Sequence, residues 1–194
     1  MKASAPRCLT TEEVLSIHGE LVEDFIQSND PIEPSGVKSH HLLESAVARQ
    51  HTSLGGELKY ADPVTNAASL CYGVCSTHPF HNGNKRTALV AMLCHLDRNG
   101  LTLTENVAQS ELYSFMLKVA SHHFSPRRKR ADAADIEVGH MTQWLHGRIR
   151  QVKKGERIIT YRELRAVLRK HGYELENPRR NAIDVVRYEW RRTF

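Results

Sequence analysis

The spacing of apolar residues predicts a chain built mostly of helices. Thr10-Thr11-Glu12-Glu13 is a capping box, with Thr10 at the N-cap and Glu13 at the third helical position. Val14, Ile17, Leu21, Val22 and Phe25 follow at helical spacing, and Asn29-Asp30-Pro31 ends that helix. A loop with prolines and a glycine leads to a short second helix marked by Leu42, Leu43, Ala46 and Val47. Residues Ser53 to Tyr60 break the pattern. Two adjacent glycines there, Gly55 and Gly56, predict a hairpin or flap. Asp62-Pro63 opens a third helix, with Asp as cap and Pro at the first helical position. It carries Val64, Ala67, Ala68, Leu70, Cys71, Val74 and Cys75. After a break at Pro79 and Gly83, a fourth helix runs from Asn84 to Asn99 and stops at Gly100. It is apolar on most faces, which predicts a place at the centre of a bundle. A fifth helix, Thr104 to Ala120, carries Leu112, Phe115, Met116 and Val119.

The pattern changes beyond residue 120. His122 to Arg130 is basic and broken by Pro126, and reads as a linker. A sixth helix, Asp135 to Lys153, aligns Ile136, Met141, Trp144, Leu145 and Val152. Arg157-Ile158-Ile159 predicts a short strand, and Thr160 to Glu163 is a second capping box opening a helix that ends at Gly172. Tyr173–Leu175 and Ile183–Tyr188 predict two strands, with Asn177 to Arg180 as their turn. The expected organisation is a mainly α protein: a helical domain over residues 1–120, a basic linker over 121–134, and a small α+β domain over 135–194.

Charge sharpens that division. The chain has 194 residues, net charge +5 and 40% hydrophobic content, enough to bury a core without disulfides or metal. Residues 1–120 hold 9 Lys/Arg against 13 Asp/Glu, and residues 121–194 hold 18 against 9. The basic half points to nucleic acid as a partner of the tail. Arg179, Arg180, Arg187, Arg191 and Arg192, with Tyr188 and Trp190 among them, would face a phosphate backbone. The competing expectation is a helper unit that packs on the bundle or dimerises. No apolar run approaches the roughly 20 residues of a membrane span, and Met1 to Pro6 has no apolar stretch of a signal peptide. Cys8, Cys71, Cys75 and Cys94 form no C-x-x-C pair, which fits reduced thiols and a cytoplasmic location. Cys71 and Cys75 are expected in the core.

One segment carries chemistry: His78-Pro79-Phe80-His81-Asn82-Gly83-Asn84-Lys85-Arg86-Thr87-Ala88, a loop opening onto an apolar helix. Gly83 lets the backbone turn its amides toward a ligand, and amides at a helix start favour an anion. Asn84, Lys85 and Arg86 add donors and positive charge. His78 is placed to act as a general base, and Asn82 offers a carbonyl oxygen to magnesium. Phosphate binding beside a base suggests phosphoryl or nucleotidyl transfer. His81 takes the variable position of the loop, and the pairs His40-His41 and His122-His123 lack carboxylate or cysteine companions in sequence.

This segment resembles the Fic/Doc family, in the form of its death-on-curing (Doc) branch, H-x-F-x-(D/N)-(A/G)-N-K-R. The resemblance extends over about residues 9–117, through Ile17-His18-Glu20-Leu21, Leu43 to Arg49, Gly55-Gly56 and Asn99-Gly100. It implies a Fic/Doc-type helical bundle whose central helix follows the motif, and it implies ATP and magnesium. His78 would take the proton of a target hydroxyl, and Phe80 would anchor the loop. Gly83, Asn84 and Lys85 would form an anion hole. Arg86 would hold phosphate. Gly55, Gly56, Glu57, Leu58, Lys59 and Tyr60 fall where the family has the flap that lines up a target chain by strand addition.

Three departures follow. Asn82 stands where the family usually has an acid, and a neutral oxygen holds magnesium less tightly. Lys85 stands where the Fic branch has glycine, and Leu89 where it has a second arginine. The last two imply the Doc mode, a kinase presenting the γ-phosphate, with AMP transfer as the alternative. A nucleic-acid-binding or regulatory module with a weak site is a third reading. Ser53 to Glu57 has the spacing of the Fic inhibitory motif, but Leu58 follows where glycine or asparagine is required. The Doc resemblance therefore implies a toxin neutralised by a partner antitoxin, acting on translation machinery such as elongation factor Tu.

Overall fold

The structure is a computed structural model that describes residues 5–124, 133–153, 161–179 and 182–187. The chain forms two compact units that divide between Val152 and Lys153.

The first unit is helical. Helix α1 (Thr11–Phe25) begins as expected: Thr10 accepts from the Glu13 amide, and the Glu13 side chain accepts from the Thr10 amide. Glu13 also pairs with Arg98, fixing the start of α1 to the end of α4. Helix α2 (His40–Ala48) is capped by Ser39. A hairpin of β1 (Ser53–Leu54) and β2 (Glu57–Leu58) follows. Helix α3 (Pro63–Thr77) starts at Asp62, whose carboxylate accepts from the Val64 and Thr65 amides. Helix α4 (Asn84–Arg98) ends before Gly100, which sits at φ 73°. The unit closes with β3 (Leu101–Leu103), α5 (Gln109–Ala120), α6 (Ala133–His146) and β4 (Ile149–Gln151).

The central helix is α3, not α4. It packs against α2, α4, α5 and α6, and ten of its fifteen residues are buried. Burying Leu70 and Val74 contributes about 2 kcal/mol each. Close approach to α2 depends on Gly73, because a Cβ there would lie 2.9 Å from the Ala46 carbonyl oxygen and 2.8 Å from Arg49 Cδ. Cys71 and Cys75 are core residues, as expected, and all four thiols are free. Burial pushes the Cys75 thiol up to about 11.

A buried polar chain crosses this core. Gln50 exchanges hydrogen bonds with the Leu9 backbone at 3.0 and 3.1 Å. The Asn66 carboxamide donates to the Gln50 and Tyr60 carbonyls at 2.8 and 2.9 Å. Its oxygen faces His95 Nε2 at 2.9 Å. His95 is fully buried, and burial, assisted by the Arg98 charge, pushes its pKa down to about 4.

The domain boundary differs from the one composition suggested. Helix α6 belongs to the bundle: Trp144 stacks on Phe115 at 4.3 Å, and Val138, Met141 and Leu145 are buried. It ends at His146 rather than near Lys153, because Ile149–Gln151 pairs antiparallel with Leu101–Leu103. The Thr104 amide continues that pairing to the Arg148 carbonyl, and a turn closed by the Val107 amide on the Thr104 carbonyl follows, so α5 starts at Gln109 rather than Thr104. His122 also has the carboxylate companion that its sequence neighbours lack, with Nδ1 3.2 Å from the buried Glu137.

The second unit contains α7 (Tyr161–Lys170), a turn through Gly172 at φ 78°, and an antiparallel pair, β5 (Tyr173–Arg179) and β6 (Ala182–Arg187). The first of these strands runs through Asn177–Arg179, residues expected in the turn. Leu175 is buried, Glu174 pairs with Arg169 at 2.6 Å, and Arg187 lies over the Tyr173 ring at 5.9 Å. The strand expected at 157–159, the cap at Thr160, and Arg180, Tyr188, Trp190, Arg191 and Arg192 lie outside the described residues.

Candidate active site

The site is the turn from α3 into α4. Helix α3 ends at His78, which takes left-handed geometry at φ 50° and ψ 58°. Its imidazole is exposed and has no hydrogen-bond partner among the described residues. Phe80 is 1% exposed and anchors the turn in the core. Asn84 then shapes the turn from inside. Its Oδ1 accepts from the Phe80 amide and its Nδ2 donates to the Phe80 carbonyl, both at 2.9 Å. The side chain expected to face an anion is therefore used to staple the loop.

Gly83 is the N-cap of α4, at φ 74°. It is glycine for two reasons. The left-handed backbone disfavours a side chain, and a Cβ would lie 2.9 Å from Ile32 Cγ2. Its amide donates to Asn82 Oδ1 at 2.7 Å, and Asn82 Nδ2 donates to the Glu33 carbonyl at 2.8 Å. The helix start has no side-chain cap. The first intrahelical bond runs from the Thr87 amide to the Gly83 carbonyl. That leaves the amides of Asn84, Lys85 and Arg86 pointing out of the helix end, where an anion is favoured. Lys85 beside them is exposed and without a partner among the described residues.

Arg86 points elsewhere. Its NH1 donates to the Asp30 carbonyl at 2.7 Å, and the guanidinium lies over the Phe25 ring at 4.6 Å. The structure thus brings His78, the three amides and Lys85 into one turn, and ties Arg86 to the end of α1 and the loop after it.

That loop, residues 26–39, is the support sequence reasoning missed. The Pro79 carbonyl accepts from the Lys38 and Ser39 amides at 2.8 and 3.1 Å, and the His81 amide donates to the Gly36 carbonyl at 3.1 Å. These are backbone contacts, so side-chain identity gives little sign of them. His18 was missed as well, although it falls on the apolar face of α1, four residues after Val14. It is 4% exposed and stacks on Phe80 at 3.9 Å between centroids.

The expected flap is only partly a hairpin. Gly55 and Gly56, at φ 63° and 84°, form the two-residue turn that short hairpins favour. Glu57 and Leu58 are the return strand, and the Lys59 amide extends the ladder to the Thr52 carbonyl. Tyr60 leaves the hairpin and is buried, with its hydroxyl donating to Asp135 at 2.7 Å. Burial and that bond push its pKa up to about 12. Lys59 joins the same carboxylate at 2.6 Å, so these two residues fasten the hairpin to α6.

The donor set fits a phosphate. It is a poorer fit for a protein-held magnesium: the Asn82 oxygen is neutral and already accepts from Gly83. Among the described residues no group of three or more His, Cys, Asp or Glu is placed to hold a metal.

The start of α4 thus offers three amides without a side-chain cap and an exposed lysine in the same turn as an exposed histidine, an arrangement whose donors would suit a phosphate. Residues 8–96 match the model of the Fic/DOC family. The match supports a Fic/Doc domain over that stretch, and such domains are transferases that move AMP or phosphate onto proteins, using ATP. No curated protein matches the chain. No helix among the described residues is long and apolar enough to cross a membrane.

Proposed function

We propose that this domain works in the Doc manner, moving the γ-phosphate of ATP to a hydroxyl of a target protein. The observation that carries this reading is the donor set at the start of α4. Three uncapped amides and Lys85 suit one terminal phosphate. Arg86, which would serve a further phosphate, is held by Asp30 and Phe25. Leu89, one turn on, carries no charge.

His78 takes the proton from the target hydroxyl. The hydroxyl oxygen bonds to the γ-phosphorus as the bond from that phosphorus to the β–γ bridging oxygen breaks, and ADP leaves. The amides of residues 84–86 and Lys85 hold the non-bridging oxygens in place, so charge forming there is stabilised without reorganisation. Asn82 Oδ1, neutral and already accepting from the Gly83 amide, would give magnesium at most one weak ligand, and a bound ion would serve to neutralise phosphate charge. The hairpin at residues 53–58 aligns the target chain by strand addition.

The Doc resemblance extends the proposal to a cytoplasmic toxin restrained by an antitoxin and directed at translation machinery such as elongation factor Tu. The basic unit beyond Val152 is proposed to contribute nucleic-acid affinity. Incubation of wild type and His78→Ala with lysate and labelled ATP tests the enzyme reading. Label should enter protein only with wild type. Equal labelling, or none with either, would overturn it and favour a binding module.

A further inference from the structure

The motif loop holds its shape against residues 26–39, and one buried side chain joins the two. His18 Nδ1 lies 3.0 Å from Thr87 Oγ1 in the first turn of α4. Its Nε2 faces the Gly36 amide at 3.4 Å. An amide can only donate, so Nε2 accepts and the proton sits on Nδ1, donated to Thr87. The ring also stacks on Phe80, nearly parallel at 11°. One neutral imidazole in one tautomer therefore touches α4, the motif loop and the supporting loop at once.

We infer that His18 is a positioning residue: it clamps residues 26–39 against the motif loop so that His78 and the amides of Asn84–Arg86 are held in register. Gly36, fixed through its amide to His18, gives its carbonyl to the His81 amide at 3.1 Å. The Lys38 and Ser39 amides then hold the Pro79 carbonyl, adjacent to His78. Thr87, fixed at its hydroxyl, lies one residue after the three free amides. Both ends of the anion-binding turn are thus tied to one ring.

Ionisable groups on the surrounding elements are turned to other work or to solvent. Arg86 on α4 bonds to Asp30, and Glu33, Lys38, His81 and Lys85 are exposed. Burial alone lowers the pKa of His18, which favours the neutral form the clamp requires.

The role of His18 as a positioning residue rests on the phosphotransfer reading, but the clamp can be measured without it. His18→Phe keeps a buried ring against Phe80 and removes both hydrogen bonds. Amide hydrogen exchange should show protection at Gly36 and His81 falling about tenfold, the loss of roughly one hydrogen bond, with Val74 and Ala91 in the core unchanged. Transfer from γ-labelled ATP at saturation should fall by about tenfold or more, with the KM for ATP nearly unchanged, because the loop is misplaced rather than emptied of donors. Unchanged exchange at Gly36 and His81 would overturn the clamp. Altered exchange with an unaltered rate would overturn the positioning role. If wild type transfers nothing, the phosphotransfer reading fails while exchange still decides the clamp. Should His18→Phe not fold, nitrogen NMR of the wild-type imidazole decides: an Nδ1–H tautomer supports the clamp and an Nε2–H tautomer overturns it.

Discussion

Replacing Gly83 by alanine strikes the turn at its tightest point. Two independent effects add. At φ 74° a side chain costs about 1–2 kcal/mol. The new Cβ would also sit 2.9 Å from Ile32 Cγ2 and 3.0 Å from Ile32 Cδ1. Ile32 is 1% exposed, so its side chain must shift within the core, and overpacking costs a further 1–3 kcal/mol or so. The sum is a destabilisation of about 2–5 kcal/mol, read by urea unfolding at pH 7.5. A double-mutant cycle separates the parts. Ile32→Ala alone loses about 2–5 kcal/mol as a cavity, but it removes every Ile32 atom near the new methyl. The Gly83→Ala step should then shrink to the backbone share, about 1–2 kcal/mol. A Gly83→Ala loss under about 0.5 kcal/mol, or strict additivity in the cycle, would refute this account of the turn.

The remaining predictions concern the same turn and the core behind it. Asn84→Ala should destabilise by about 1–3 kcal/mol by stranding the Phe80 backbone groups, while Lys85→Ala should change unfolding by less than about 0.5 kcal/mol and weaken protection by ATP in a thermal shift. His95 has a folded pKa of about 4, below the ordinary 6.5. The unfolded chain therefore binds the extra proton between those values. Stability from this group is complete above pH 6.5 and falls as pH drops toward 4, by roughly 3 kcal/mol in all. Urea midpoints from pH 7.5 to 4.5 should show this slope, and His95→Gln should flatten it; an identical slope in both proteins would count against it. Asn82→Asp restores a carboxylate beside the proposed phosphate site and should lower the magnesium concentration giving half-maximal transfer; an unchanged magnesium requirement would remove residue 82 from metal binding.

Sequence signals are legible where the physics is local. The Thr10–Glu13 box, the Asp62 cap and the stop at Gly100 depend only on near neighbours, and each is found in place. The motif loop was legible because His78, Gly83 and Lys85 lie within eight residues of one another. Long-range pairing was not legible. Leu101–Leu103 meets Ile149–Gln151 across a wide gap in sequence, and that pairing takes α6 into the bundle despite the basic stretch between them. The contacts that Asn84 and Arg86 make in the fold were hidden for a related reason. Their partners are the Phe80 and Asp30 backbones, and carbonyls carry no residue-type signature. His18 had a weak signal, a polar residue in an apolar stripe, whose partners on α4 and the later loop only the fold supplies.

Phosphate transfer by this domain can be measured directly. The protein is incubated with lysate and ATP labelled at either the α or the γ phosphate, with His78→Ala as the blank. Protein-bound label from the γ position alone, absent with His78→Ala, is the predicted result. Label retained from the α position would contradict it and assign the site to AMP transfer.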